Sequence, residues 1–526
     1  MDKYEGISSY LFNRLNFYSN LGALKINERI ISYQELLEKS LGVASILSDL
    51  GTNKETVGIV GQRHPSSYIG LLGILFAGCS FTPINPKYNK KRTSDIIKNS
   101  GIRFLVGDLL DLESLDLKDC EDVIKGIVVP EGDVSHKTSD IWIDQTYLSE
   151  SKKLNSPINS DLLDLSHVYY TSGSTGTPKA VQVTQSNLIS FLENMASIYK
   201  LEVGFRASQT FDFTFDPSIS DILFTWIKGG LLCVLEEKEI LLPSDYLIRE
   251  KINFWNSVPS IASFMYKTKK LKPNIFPELT HSMFCGEQFP QYIADKWREA
   301  APNSSIENLY GPTEATIYIS RYVYKDGEQN KSFRNGIIPI GEVFPGHMVR
   351  LVDKKNNEVT KKGKEGEIVF SGEQISKGYL ADQFKTSQVF VNFDWDKRNL
   401  VWYKTGDLGF INASGYLECI GRKDNQIKLS GRRVEIGEIE SALSNFPETR
   451  GSIVVPLRDE NEIVIGCIAF TENKIDKNIV KEIREKSTKI LDSVFFPKKI
   501  LYINTYPKNL SGKIDRKELE RLARES

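Results

Sequence analysis

Tyr170-Thr-Ser-Gly-Ser-Thr-Gly-Thr-Pro-Lys179 joins a strand-like approach, Val168-Tyr-Tyr170, to a helical run opening at Gln185-Ser-Asn-Leu-Ile. Between Thr171 and Lys179 stand two glycines, three threonines, two serines and a lysine. Glycine lets a backbone approach a polyanion closely. Successive N–H groups and hydroxyls can then cradle phosphate oxygens while Lys179 supplies a point charge. The GxxxxGK[ST] order of a Walker loop is absent. Taken alone, the same composition also suits a flexible surface turn.

Outward from this loop, α/β patterning extends in both directions. Ser32-Tyr-Gln-Glu35 reads as a capping box opening a helix to about Leu50. Thr56-Val-Gly-Ile-Val60, Ser80-Phe-Thr-Pro-Ile84 and Arg103-Phe-Leu-Val106 read as strands around a buried helix through Leu72. Such alternation predicts a parallel sheet covered by helices. Residues 107–165 are acidic and carry little pattern, and the rhythm resumes from Ser166 to about Phe370. A strand- and turn-rich stretch then runs from Glu367-Ile-Val-Phe-Ser-Gly372 to about Arg422. Beyond Lys423, a helix at Glu435–Leu443, strands at Ile453 and Ile463–Phe470, and a helix from Asn478 form a small α+β unit.

At 526 residues the chain exceeds one ordinary core. Its 67 basic and 68 acidic residues leave no global field favouring nucleic acid or an anionic membrane. The apolar run Tyr68–Cys79 is too short to span a bilayer, and Met1-Asp-Lys-Tyr-Glu-Gly lacks signal-peptide character. Six scattered cysteines without CxxC or metal-ligand spacing predict free thiols in a reducing cytoplasm.

Downstream of the loop come Tyr310-Gly-Pro-Thr-Glu314, Tyr403-Lys-Thr-Gly-Asp407, Gly421-Arg-Lys-Asp424 and Leu510-Ser-Gly-Lys513, in that order. Together with the loop they resemble the acyl-adenylate-forming superfamily: acyl-CoA synthetases, luciferases and the adenylation domains of nonribosomal peptide synthetases. The resemblance covers nearly the whole chain. It implies a large N-terminal domain of stacked α/β subdomains plus a β-rich subdomain (1–423), and a small mobile α+β C-terminal domain (424–526). It also implies ATP and Mg²⁺ as cofactors. Thr171, Ser172, Gly173, Ser174, Thr175, Gly176 and Lys179 would hold phosphates. Tyr310 and Gly311 would face adenine, Thr313 the α-phosphate, and Glu314 the Mg²⁺, an ion suited to one carboxylate plus waters. Asp407 would accept the ribose hydroxyls, with Arg422 beside it. Asp424 would be the hinge, and Gly431 would line a thiol's path. Lys513 would stabilise the charge that builds as a carboxylate oxygen attacks the α-phosphate.

Phe215-Asp-Pro-Ser-Ile-Ser-Asp-Ile-Leu223, followed by Lys228-Gly-Gly, resembles the substrate stretch of amino-acid-activating members. The ammonium-binding aspartate falls on Asp216, with Asp212 as a competing register. Within that group, Met283-Phe-Cys-Gly-Glu287 and Val181–Leu188 resemble D-alanine:carrier-protein ligases. Many relatives carry His where Gln185 stands. The pocket would be formed by Pro217, Ser220, Met283, Cys285, Gly286, Leu309, Ile317 and Tyr318, an uncharged set that favours a small or medium neutral amino acid. Cys285 reads as a small buried hydrophobe rather than a nucleophile. The expected acceptor is the phosphopantetheine thiol of a separate carrier protein, with neither nucleic acid nor membrane insertion involved. The rivals are an acyl- or aryl-CoA ligase and a catalytically inactive scaffold relative.

Overall fold

A computed structural model describes residues 6–526 apart from 62, 89, 138, 145, 148–153, 173–177, 326, 329–332, 425, 460–462, 488–490 and 509–513. Two large sheets dominate it. In the first, seven strands run in the order Trp142–Asp144, Gly126–Val129, Phe104–Gly107, Thr56–Val60, Ser80–Ile84, Leu165–Thr171, Lys179–Thr184. All neighbours are parallel except the last pair. Their strands are apolar runs buried almost throughout, as a sheet covered on both faces requires. The helix Pro65–Phe76 is buried at all 12 residues, which explains why it carries no amphipathic stripe.

The weakly patterned stretch 107–165 supplies two strands of this sheet, Gly126–Val129 and Trp142–Asp144. At four and three residues they are too short to register as periodic. Ser32 caps the helix Tyr33–Asp49 by accepting from the Glu35 N–H at 3.1 Å. The reciprocal half of the expected box is not made: the Glu35 carboxylate pairs with Arg29 and Lys39 instead.

The second sheet has nine strands, of which Ser305–Tyr310, His281–Cys285, Phe254–Ser257, Arg206–Gln209, Leu231–Val234 and Gly22–Ile26 form a parallel centre. A third, antiparallel sheet is built from Met348–Val352, Gly366–Ser371, Phe390–Val391, Trp402–Ile411 and Leu417–Arg422. The smaller C-terminal region begins with a hairpin, Gln426–Leu429 and Arg432–Glu435. A three-stranded sheet and helices at Ile436–Leu443, Lys477–Ser487 and Arg516–Glu525 follow. This region encloses its own apolar cluster around Val434, Ile439, Leu443, Val454 and Phe495.

Asn187 ties two of these layers together. Its Oδ1 accepts from the Thr184 N–H at 2.9 Å, closing a capping box on the helix Gln185–Ile198. Its Nδ2 donates to the Glu373 and Ile375 carbonyls at 2.6 and 3.1 Å. Asn187→Ala should therefore lower the first unfolding transition by about 2–3 kcal/mol, read as a reduced denaturation midpoint in urea.

Candidate active site

The C-terminal ends of the parallel strands converge, as ligand sites in open α/β sheets do. Strand Leu165–Thr171 delivers Thr171 and Ser172, and Lys179 opens the returning strand. The Lys179 ammonium is 5.6 Å from the Tyr379 ring centre. Burial, reinforced by the neighbouring Arg433, pushes its pKa down. Thr171 Oγ1 is buried with no hydrogen-bond partner among the described residues. Gly173, Ser174, Thr175, Gly176 and Lys513 lie outside the described residues.

In the second sheet, Tyr310 closes the strand Ser305–Tyr310 and leads into a 3-10 turn, Thr313–Ala315, that buries Glu314 completely. Gly311 is required there, because a Cβ would lie 2.3 Å from the Ile317 carbonyl oxygen. Next, Thr316 and Ile317 take φ values of 55° and 71°, an unfavourable region for two consecutive β-branched residues. Gln374 holds them there. Its Nε2 donates to the carbonyls of Ala315, Thr316 and Tyr318 at 3.3, 3.2 and 2.7 Å, while Thr316 Oγ1 donates to the Gln374 carbonyl at 2.7 Å.

Glu314 Oε1 accepts from the Tyr379 hydroxyl at 2.7 Å, and the Arg433 guanidinium lies 3.3–3.4 Å from both carboxylate oxygens. Burial alone would raise this carboxyl, but Arg433 and Tyr379 hold it below its ordinary value. Among the described residues no group of three or more His, Cys, Asp or Glu could hold a metal. A single hard carboxylate near Lys179 still fits Mg²⁺ carried in on phosphates, which needs few protein ligands.

Asp407 is reached by the Tyr310 hydroxyl and, at 2.9 Å, by Arg422. The other edge of Arg422 grips both oxygens of Asp424 at 2.8 and 2.7 Å. These groups line a cavity of 240 Å³ together with Ile427, Lys428 and Arg433.

Asp216 precedes a short helix that a π turn at Ser220–Phe224 interrupts, a distortion frequent at functional sites. Its Oδ2 is buried without a hydrogen-bond partner among the described residues, and so is Ser220 Oγ. Burial pushes the Asp216 carboxyl up to about 7, with the Thr313 hydroxyl and Lys428 acting against the rise. The competing register at Asp212 is chemically occupied. Its Oδ1 accepts from the Thr214 N–H and hydroxyl, and its Oδ2 from Asn85 at 2.9 Å and Arg432 at 3.2 Å.

Pro217, Ser220, Met283, Cys285, Leu309, Ile317 and Tyr318 are all buried. The Cys285 thiol lies 3.3 Å from the Tyr318 hydroxyl, and burial drives its pKa far up, which suits a wall rather than a nucleophile. Asn256 Nδ2 donates to the same Tyr318 hydroxyl at 3.1 Å and to Asp221 Oδ1 at 2.7 Å. This polar backing escapes sequence reasoning, since Asp221 and Asn256 belong to none of the ordered motifs. Gln185 does not reach the site. Its Oε1 accepts from the Ile7 N–H at 3.0 Å and from Ser160 at 2.8 Å, anchoring the N-terminal helix.

The C-terminal hairpin reaches into this convergence. Ser172 Oγ donates to the Arg433 carbonyl at 2.8 Å, and Gly431 approaches Gly286, Val258 and Phe215. At the hairpin tip, a cavity of 660 Å³ opens between Phe215, Val258 and Phe264 on one side and Ser430, Arg432 and Val494 on the other. Arg433 and Tyr379 are site residues outside the ordered motifs; the first stands two residues beyond Gly431 and the second seven beyond Gly372.

A family model described as AMP-binding enzyme matches residues 13–380. A D-alanine--D-alanyl carrier protein ligase from Listeria monocytogenes is 30% identical over 501 residues, 93% of each chain. One from Bacillus anthracis is 28% identical, covering 93% of this chain and 94% of its own. Among solved structures, the Vibrio cholerae adenylation domain AlmE in complex with glycyl-adenosine-5'-phosphate superposes with a TM-score of 0.84 at 24% identity. It covers 98% of this chain and 96% of that one. The chain belongs to the AMP-binding enzyme family and is an AMP-forming ligase. Among the described residues no helix is long and apolar enough to cross a membrane.

Two outcomes are expected. Gln374→Ala should lower the thermal midpoint by several degrees and reduce turnover more than tenfold, because three buried carbonyls lose their donor. For Asp216, the folded pKa lies above the unfolded value of 3.8. Its stabilising contribution is therefore complete below pH 3.8 and is lost as pH rises through about 7. Asp216→Asn should gain stability over the wild type across that interval and hold the gain above it, as measured by thermal melts from pH 4 to 8.

Proposed function

We propose that the protein activates a small or medium neutral amino acid as aminoacyl-AMP and passes it to the phosphopantetheine thiol of a separate carrier protein. The observation that carries this reading is the buried, unpartnered Asp216 Oδ2 in an otherwise uncharged pocket. A carboxylate removed from water is costly unless a cation meets it. A substrate ammonium is the cation that would repair it. The names of the 30%- and 28%-identical relatives, each a carrier protein ligase, support the acceptor.

In this reading the substrate ammonium binds Asp216 and its carboxylate is held toward Thr313. Tyr310, Gly311, Asp407 and Arg422 receive the nucleoside, and Thr171 to Gly176 with Lys179 hold the β- and γ-phosphates. Glu314 would hold Mg²⁺, which would supply neutralisation of phosphate charge. One substrate carboxylate oxygen forms a bond to the α-phosphorus as pyrophosphate leaves, and Lys513 balances the growing charge. The 1–423 and 424–526 domains then turn about Asp424. The thiol, entering beside Gly431, attacks the carbonyl carbon; a thioester forms, AMP departs and the thiol proton is released. The hairpin tip at Gly286 and the cavity beneath it support that path.

Amino-acid-dependent ATP–pyrophosphate exchange tests the first half-reaction over D- and L-alanine, glycine, β-amino acids and non-amino acids. Exchange is expected with small neutral amino acids and lost in Asp216→Ala. Lys513→Ala should reduce it by ~10²–10³-fold. Because Asp216 must be ionised to hold an ammonium, kcat/KM for the amino acid should fall as pH drops below about 7. Exchange confined to non-amino acids would sink the reading, and CoA outperforming a carrier as acceptor would replace its second half.

A further inference from the structure

We propose that Glu287 is a positioning residue that latches the C-terminal hairpin against the substrate site for thioester formation; the role in acyl transfer rests on the function proposed above.

Glu287 follows Gly286 at the end of the strand His281–Cys285. Its two carboxylate oxygens serve two parts of the molecule. Oε2 accepts from the Ser260 N–H at 2.9 Å, in the first turn of the helix Pro259–Lys267. Oε1 accepts from the Gly431 N–H at 2.8 Å, at the apex of the hairpin. That amide has particular need of an outside partner. Leu429 pairs with Arg432, so the loop is the two residues Ser430 and Gly431, with φ values of 49° and 78°. This is type I′ geometry, in which the N–H of the second loop residue has no bond within the turn. The hairpin thus presents the Gly431 N–H outward, and the larger domain presents to it an anchored carboxyl group whose pKa burial raises.

The close approach is built for this contact. A Cβ on Gly286 would lie 3.3 Å from Gly431 Cα, and one on Gly431 would lie 2.4 Å from Val258 Cγ1. Two glycines at positive φ therefore let backbone meet backbone where Glu287 closes the bond. The hairpin's other ties are of a different kind. Arg433 meets Glu314 and its carbonyl meets Ser172, both groups assigned above to the nucleotide, while Arg432 forms an ion pair with Asp212. Glu287 hydrogen-bonds to neither nucleotide group; it borders the 240 Å³ cavity that Tyr310, Asp407 and Arg422 line, but its carboxylate is spent on Ser260 and Gly431.

The full-length protein decides this through two measurements. The first compares ATP–pyrophosphate exchange with single-turnover transfer from preformed aminoacyl-AMP to pantetheine, used as the thiol probe. Glu287→Ala should slow transfer roughly tenfold or more, the loss expected for a buried hydrogen bond, while exchange stays within about twofold of the wild type. Glu287→Gln, which keeps one acceptor oxygen, should fall between. The second is amide hydrogen exchange of peptides covering Ile427–Val434, which should quicken in Glu287→Ala. Equal slowing of both half-reactions, unchanged transfer, or unchanged hairpin protection overturns the latch. If the wild type exchanges pyrophosphate with no acid, the proposed activity falls instead, and hairpin protection alone then decides whether Glu287 holds the hairpin.

Discussion

The site depends on a backbone conformation its own residues disfavour. Thr316 and Ile317 stand consecutively at positive φ, and a pair of β-branched residues there costs on the order of 1–3 kcal/mol each. A relaxed turn would point Glu314 and Tyr318 elsewhere. The strain persists because Gln374, itself buried, donates its side-chain NH2 to three carbonyls of the turn and accepts from Thr316 at its backbone carbonyl in return. The third sheet, which supplies the segment carrying Gln374, is thereby coupled to the pocket walls of the second.

Three buried carboxylates at the site are met in three different ways. Asp221 is bound by Asn256, and burial pushes its carboxyl well above the ordinary carboxylate value. Glu314 keeps its charge because Arg433 and Tyr379 meet it. Asp216 has neither remedy complete. With a pKa near about 7 it is poised between the two forms, and one oxygen lacks a partner among the described residues. A pocket that ends on such a group would favour a cation attached to a small neutral body, which is the form of the amino-acid substrate proposed above.

Much of the architecture is legible in the sequence, because strands buried on both faces announce themselves as unbroken apolar runs such as Thr56–Val60. The strands Gly126–Val129 and Trp142–Asp144 are not legible, being shorter than any period can reveal. The ordered motifs identify Glu314, Asp407 and Arg422, whose side chains the fold brings together. Local pattern already favours Asp216 over Asp212, since Phe-Asp-x-Ser begins at Phe215, and the surroundings add a second distinction: both Asp212 oxygens are hydrogen-bonded while Asp216 Oδ2 has no partner among the described residues. The roles of Asp221, Asn256, Gln374 and Glu287 need three dimensions. Each works through a partner 27 or more residues away in sequence, and side-chain identity alone carries no trace of that pairing.

The hairpin Gln426–Glu435 explains why glycine is needed at two distant positions. Its tip meets the end of strand His281–Cys285 backbone to backbone, so any side chain at Gly286 or Gly431 would hold the two regions apart. Behind the tip, Arg432 and Arg433 carry positive charge to Asp212 and Glu314, carboxylates of the larger domain. Glu314 is fully buried, so its charge must always be met by some cation. In this arrangement that cation is Arg433. With the hairpin withdrawn, the same carboxylate would require another, and a magnesium–phosphate group is the chemistry its surroundings fit. Buried charge thus makes the position of the small region and the content of the phosphate site two readings of one electrostatic requirement.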